Sequence, residues 1–361
     1  MGVEEEYQIV DPITRELSST ADTLLQQARS TLGDCIQPEL NLSQVESVSP
    51  ICYSLSEVRQ VLIRMRREID QFAQQTGTRI AAAGTHPFSH WKSQQITPKK
   101  RYQSIANDYQ QLALEPYFGY HVHIGVEDQE IALQILNRAR AWLGALLALS
   151  ANSPFWLGDV TGYASYRTLL WSQWATSGPP LTFASLNEYR ELAQAMIDIG
   201  AIEDPSKLYW DVRLSARFRT IEFRVADACS TIDTAVMLAG LIRALVATLH
   251  AQVLRQEPVF LPRPEVVRVA HWQAARYGLS GNLIDVIAQR QVPAYTLITQ
   301  FLDFVRPALQ EAGDWQEVSR LVYDTLRYGT GAARQLAVYE QTRHLEDVVD
   351  FVIAETARGT F

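Results

Sequence analysis

Four stretches of the sequence set polar residues inside segments that otherwise alternate like β-strands. They are Glu4 with Glu6, His121 with His123, Glu222 with Arg224 and, more loosely spaced, Glu39 with Gln44 and Glu46. Strand side chains two apart project from the same face, so each close pair points one way. A sheet face carrying carboxylates, imidazoles and a guanidinium is not a hydrophobic core. Any single pair has a simpler explanation, since the solvent side of a one-sided sheet carries charge freely. The set demands more, because several carboxylates buried together are costly without cations. Carboxylates with one or two imidazoles suit hard, oxygen-preferring divalent cations, whereas structural zinc would call for thiolates or more histidines. Magnesium is the expected ion, with manganese as a substitute. Magnesium completes its shell with substrate phosphate oxygens and water, so nucleotide chemistry is the natural use.

Arginines supply the complement. Arg213, Arg217, Arg219 and Arg224 fall within 210–225, and a guanidinium fork grips phosphate or carboxylate oxygens in two bonds. Arg224, fixed in alternation with Glu222, is the better candidate; a surface turn explains Arg217 and Arg219 equally well. No GxxxxGK[ST] or GxGxxG loop occurs, so a nucleotide would be held by metals and arginines on the sheet. His86, in Gly84-Thr85-His86-Pro87, is a candidate pocket residue, although a turn closing a strand explains it as readily. Arg167 ends an aromatic, glycine-containing loop and is a candidate for a substrate carboxylate. His90, His250, His271 and His344 stand singly in loops or helical patterns and read as structural.

The elements that must position these residues follow from periodicity. Strands are predicted over 3–10, 40–48, 79–83, 117–126, 208–214 and 220–225, enough for one sheet of about six strands. Ser54 and Glu57 form a capping-box pattern ahead of a long amphipathic helix, whose Arg59, Arg64, Arg66 and Arg67 read as a solvated face. Loops are expected over 89–101, 152–162, 177–180 and 257–264. From about residue 232 the pattern is almost continuously helical. The layout is α+β over one domain, 1–361, with a strand-rich part to about 231 and a helical part beyond it.

The 361 residues are 47% hydrophobic and 20% charged, an ordinary globular composition. A formal charge of −8 offers no broad basic face for nucleic acid. Cys35, Cys52 and Cys229 lack CxxC spacing and are odd in number, which suggests neither a disulfide framework nor a zinc ribbon. Three acids at Glu4, Glu5 and Glu6 do not resemble an export signal, and the most apolar stretches, 131–151 and 235–249, contain arginines and read as buried helices. A reducing, cytoplasmic location without membrane contact is expected, and a homodimer is the default assembly.

Taken in order, Gly2-Val3-Glu4-Glu5-Glu6-Tyr7, Gln44-Val45-Glu46, Gly84-Thr85-His86-Pro87, Gly119-Tyr120-His121-Val122-His123-Ile124-Gly125, Ser150 to Phe155 and Thr220-Ile221-Glu222-Phe223-Arg224 form a specific combination. With it the chain resembles, almost end to end, the bacterial carboxylate–amine ligases, or type 2 glutamate–cysteine ligases, relatives of glutamine synthetase. The resemblance implies a glutamine-synthetase-like antiparallel sheet, curved to hold ATP, divalent metal and an acid substrate on one face. It implies that Glu4 and Glu6 open the metal sites, with Glu39 and Glu46 completing them near the substrate glutamate. His121 and Glu222 become metal ligands, His123 a neighbour of nucleotide or substrate, and Arg224 the phosphate-stabilising arginine. Arg213 and Arg167 are carried over as further contacts to the nucleotide and the substrate. The sequence departs from relatives in having Met1 directly before the Gly2 stretch and in the 210–219 region.

The expected reaction is ATP- and magnesium-dependent amide formation between a carboxylate, that of glutamate, and an amine such as cysteine, through an acyl phosphate. Two rivals remain at this stage. One is a metal-dependent amidohydrolase built on His121-x-His123; the other is a non-catalytic nucleotide or amino-acid binding protein.

Overall fold

A computed structural model describes residues 1–360. Eleven strands occur among them: β1 (Gly2–Val10), β2 (Ile36–Pro38), β3 (Gln44–Val48), β4 (Arg79–Ala81), β5 (Gly119–Gly125), β6 (Phe155–Trp156), β7 (Asp159–Val160), β8 (Val212–Leu214), β9 (Thr220–Asp227), β10 (Asn282–Asp285) and β11 (Arg290–Pro293). Seven of them form one antiparallel sheet in the order β2-β3-β1-β5-β9-β8, with β4 pairing β1 on the same edge as β5, beyond the end of β5. β6–β7 and β10–β11 are separate hairpins.

Register places the chemistry. Glu6 lies opposite Glu46 on β3, and Glu4 lies opposite His121 on β5. His123 faces Glu222 on β9, which in turn faces Arg213 on β8. A bulge between Tyr120 and Val122 shifts the β5–β9 register at His121, and such irregularities re-aim a side chain without moving the strand. Tyr120 and Val122 stay in the core, with the Tyr120 hydroxyl donating to the Ala235 carbonyl at 3.0 Å.

The opposite face packs on helices. In Leu55–Gln75 the Ser54 hydroxyl accepts from the Glu57 amide at 3.1 Å. The Glu57 carboxylate reaches back to the Tyr53 amide at 2.8 Å, one residue before the position of a standard capping box. Val58, Leu62, Met65 and Ile69 then bury one stripe. Ile232–Leu254 is long and apolar enough to cross a membrane by length and composition. Protein surrounds it instead: it packs against β5 and the helices Leu55–Gln75, Gln129–Ala139, Ala294–Glu311 and Trp315–Tyr328.

One predicted surface residue is central. Alternation turns Glu5 away from Glu4 and Glu6, toward the helices, where Arg66 meets it with two hydrogen bonds of 2.5 and 3.1 Å. Tyr7 also donates to Glu5, and Arg66 holds the carbonyls of Cys229 at 2.8 Å and Ser230 at 3.0 Å. Arg66 is 1% exposed, so the expectation of a fully solvated arginine face is wrong. Arg59 pairs with Asp233 and Glu317, while Arg64 and Arg67 keep the expected exposure, Arg67 donating to the Thr360 carbonyl.

Two other expectations change. The last third holds the β10–β11 hairpin as well as helices, and the expected loop over 152–162 contains β6–β7. Strand β2 goes unpredicted because three residues, one of them proline, carry no readable alternation.

Candidate active site

The sheet face away from the helices floors a cavity of about 560 Å³, lined by Glu4, Glu6, Glu39, Glu46, His121, His123, Arg213, Glu222 and Arg224. Two ligand sets close up within it, Glu4–Glu46–His121 and Glu4–His123–Glu222, each with donor atoms within 4.8 Å of one another. Glu4 belongs to both. Its Oε2 lies 3.0 Å from His121 Nδ1 and its Oε1 lies 3.3 Å from His123 Nε2. The Thr220 hydroxyl, 3.1 Å from His123 Nδ1, orients that ring. The Nε2 atoms of His121 and His123 are both buried without a hydrogen-bond partner. Glu6 accepts from the Gly119 amide at 2.6 Å and from Gln44 at 3.1 Å.

The electrostatics also call for cations. Burial, with Glu39 adding repulsion, pushes the Glu6 carboxyl up to about 7. Burial and the neighbouring Glu4, Glu39 and Glu6 raise Glu46 well above the usual carboxylate range, and burial raises Glu39. Against its burial, Glu4 is held well below the usual carboxylate range by the adjoining imidazoles of His121 and His123. Burial and the Arg224 charge lower the His121 imidazole to about 4, keeping it neutral as a ligand must be. Carboxylates that hold protons because they are buried and crowd one another release them to a divalent cation. Oxygen donors with two imidazoles and two unpartnered ring nitrogens therefore fit magnesium or manganese.

That balance has a measurable sign. Protons compete with the cation at Glu6, Glu46 and Glu39 below their raised pKa values, and the competition fades as pH rises. Thermal stabilisation by millimolar Mg2+ should therefore grow between about pH 5 and about pH 8. A Mg2+-induced shift in melting temperature that is flat across that window would contradict this ligand set.

The arginines divide by what they already hold. Arg213 grips both oxygens of Glu222 at 2.8 and 2.9 Å, and its third nitrogen donates to the carbonyls of Ser206 and Leu208, each at 2.7 Å. Its fork is engaged with protein, so the expected nucleotide contact gives way to a role in positioning Glu222. Arg224 donates to Glu222 at 2.5 Å, while its Nε is buried and unpartnered. Between them the two guanidiniums hold Glu222 well below the usual range, despite burial that would raise it.

Arg167 and His86 do not line the cavity. Arg167 is buried against Trp171, its guanidinium 5.8 Å from that ring, and donates to the Arg224 carbonyl at 3.3 Å. A Cβ at Gly119 would come within 2.5 Å of its guanidinium and 3.1 Å of His121 Nε2, so glycine there leaves room for both. His86 is fully buried, its Nε2 on the Arg15 carbonyl at 2.8 Å and its Nδ1 accepting from the Ser89 amide at 2.9 Å. Both ring nitrogens are occupied by loop backbone, so the expected substrate contact is a turn-closing one.

Sequence reading missed one end of the cavity, where Tyr102, Tyr117, Trp171, Trp174 and Tyr209 gather with Glu115 and Arg101. The available signals were the i, i+3 spacing of Trp171 and Trp174 on a short amphipathic segment and the aromatic run Tyr209-Trp210.

An all-antiparallel sheet with helices on one face and paired acid–histidine clusters on the other is the arrangement that the resemblance to the carboxylate–amine ligases implied. The chain belongs to glutamate–cysteine ligase family 2, whose family model matches residues 1–351. A relative from Roseiflexus castenholzii, provisionally named glutamate–cysteine ligase 2, is 41% identical over 360 residues, covering 99% of this chain and 95% of its own. One of the same name from Rhodopirellula baltica is 40% identical, covering 99% and 96%. Among solved structures, a glutamate–cysteine ligase from Francisella tularensis in complex with AMP matches with a TM-score of 0.72 at 12% identity, over 99% of this chain and 88% of its own. A bifunctional glutathione synthetase from Pasteurella multocida matches at 0.69 and 14%, over 98% and 52%. At such identities the likeness to these two structures is one of fold.

Proposed function

We propose that this ATP-dependent ligase joins the side-chain carboxylate of glutamate to an amine, cysteine or a related compound, through an acyl phosphate. One observation carries the reading: two acid–imidazole clusters share Glu4 beside an arginine that still has a donor to offer. Glu4, Glu46 and His121 would hold one magnesium ion and Glu4, His123 and Glu222 another, with Glu6 in support. When bound, the ions would offset phosphate charge and let two anionic reactants approach.

A carboxylate in water is a poor electrophile, and activation solves this. A carboxylate oxygen attacks the terminal phosphorus, the bond to ADP breaks, and Arg224 neutralises charge spreading over the transferring group. The amine then attacks the acyl carbon, the bond to phosphate breaks, and the amine loses a proton. Glu39, whose carboxyl is raised by burial, lines the cavity as a suitable acceptor. Hydrolytic zinc chemistry finds less support, since His271 turns to Asp211 at 3.3 Å rather than joining His121 and His123. Free Cys35, Cys52 and Cys229 fit a reducing, cytoplasmic setting.

The test is release of ADP from ATP with glutamate and a panel of amines, in Mg2+ or Mn2+, with mass analysis of the product. ADP release that depends on both acid and amine supports the reading; amide hydrolysis without ATP contradicts it. Within that assay, Arg224→Lys should lower turnover by about a hundredfold at saturating ATP while ATP affinity changes little, because lysine keeps the charge but loses the fork. Equal turnover would make Arg224 structural.

A further inference from the structure

The substrate cavity has two ends. The turn after β8, with Phe218, lies at the Gly125 end of β5; the aromatic group lies at the Gly119 end. There the Tyr117 ring sits 5.5 Å from Trp171 and 6.2 Å from Trp174, and Tyr209 sits 5.2 and 5.4 Å from the same two indoles. Two buried acceptors line this end without a donor: Glu115 Oε2 and Asn41 Oδ1, on residues 8% and 2% exposed. The other Glu115 oxygen accepts from Gln111 at 3.0 Å, and the Asn41 amide nitrogen reaches the Ala113 carbonyl at 3.5 Å. No arginine or lysine pairs with Glu115 among the described residues.

A buried acceptor without a partner is costly, so two of them kept in one cavity point to a ligand that supplies the donors. Aromatic faces around a carboxylate favour a cation, through the ring quadrupole as well as the charge. Phosphoryl transfer uses neither residue.

We propose that this end recognises an organic ammonium group. Glu115 and Asn41 accept hydrogen bonds from a protonated amine whose carbon skeleton lies among Tyr117, Trp174 and Tyr209. The assignment rests on the ligase reading. Two substrates can supply the group: an amino-acid donor through its α-ammonium, or an acceptor carrying a second amino group.

The experiment uses the full chain with ATP and Mg2+. Glutamate is compared with glutarate, which lacks the α-amino group, and 1,4-diaminobutane with n-butylamine. In the wild type one of the two pairs should show a KM at least about tenfold lower for the ammonium-bearing member, equivalent to one charge-assisted hydrogen bond. Glu115→Gln should bring that ratio close to one while the KM for ATP stays unchanged. Loss of discrimination in the first pair assigns the site to the donor, in the second to the acceptor. Unchanged ratios in the variant, or a KM for ATP that rises in parallel, would overturn the subsite. Asn41→Ala provides an independent second variant and should reduce the same ratio. If the wild type releases no ADP with any pair, the ligase reading fails. Calorimetric binding of glutamate and of 1,4-diaminobutane to wild type and Glu115→Gln then decides the subsite by itself: weaker binding of either to the variant supports it, and equal binding of both overturns it.

Discussion

Glu4→Gln lowers ATP-dependent turnover by about a hundredfold to a thousandfold while the protein stays folded. The size follows from position. Glu4 alone is common to both ligand sets, so one substitution weakens both cation sites, whereas Glu222→Gln or Glu46→Gln weakens one. An amide keeps the shape but offers a neutral oxygen, a much poorer ligand for a hard cation. It also removes the anion that faces His121 at 3.0 Å and His123 at 3.3 Å. Fold is protected because Glu4 faces the cavity rather than the core and its strand register depends on backbone pairing with β3 and β5. ADP release and calorimetric titration with Mn2+ check the expectation together: turnover falls and the bound cations weaken or disappear. Turnover and cation binding like those of the wild type would show that the clusters are not the metal sites.

Arg66→Ala destabilises the protein by about 3–5 kcal/mol, the range for removing one partner of a buried ion pair. The loss exceeds that of an ordinary surface arginine because Glu5, 2% exposed, is left charged among apolar groups with only Tyr7 to meet it. The carbonyls of Cys229 and Ser230, just beyond the end of β9, lose their donor as well. Urea unfolding followed by circular dichroism gives the measurement. Replacing both partners, Glu5→Gln with Arg66→Met, should recover much of the loss, since no buried charge is then stranded. A single-variant loss below about 1 kcal/mol would mean that water reaches Glu5.

The contrast between Glu4 and Glu5 shows how far the sequence could be read. Three acids in a row are indistinguishable by type, and strand alternation alone separates Glu4 and Glu6 from Glu5. The same period of two exposes His121 with His123 and Glu222 with Arg224, so the sheet face and its cation chemistry are legible from spacing. The partner of Glu5 is not, because Arg66 lies 61 positions away on a helix whose other arginines alternate with acids. Arg213 and Arg224 likewise look equivalent in sequence. Only the path of the 206–208 backbone decides that one is engaged and the other retains a donor. His86 and Arg167 were misread for a related reason: a histidine after a strand and an arginine in an aromatic loop look alike whether they line a cavity or are buried against backbone carbonyls. The aromatic end collects residues from four segments, around 102, 117, 171–174 and 209, and the spacing of Trp171 and Trp174 signals only one of them.

The central claim is that the acid is activated by direct attack on phosphorus, and one isotope follows that step. Glutamate carrying oxygen-18 in its side-chain carboxylate is incubated with ATP, Mg2+ and an accepted amine, and the inorganic phosphate is analysed by mass. An acyl phosphate transfers one carboxylate oxygen to phosphate when the amine displaces it, so labelled phosphate should appear in proportion to amide formed. Amide formed with unlabelled phosphate, or with AMP and pyrophosphate in place of ADP, would contradict the account.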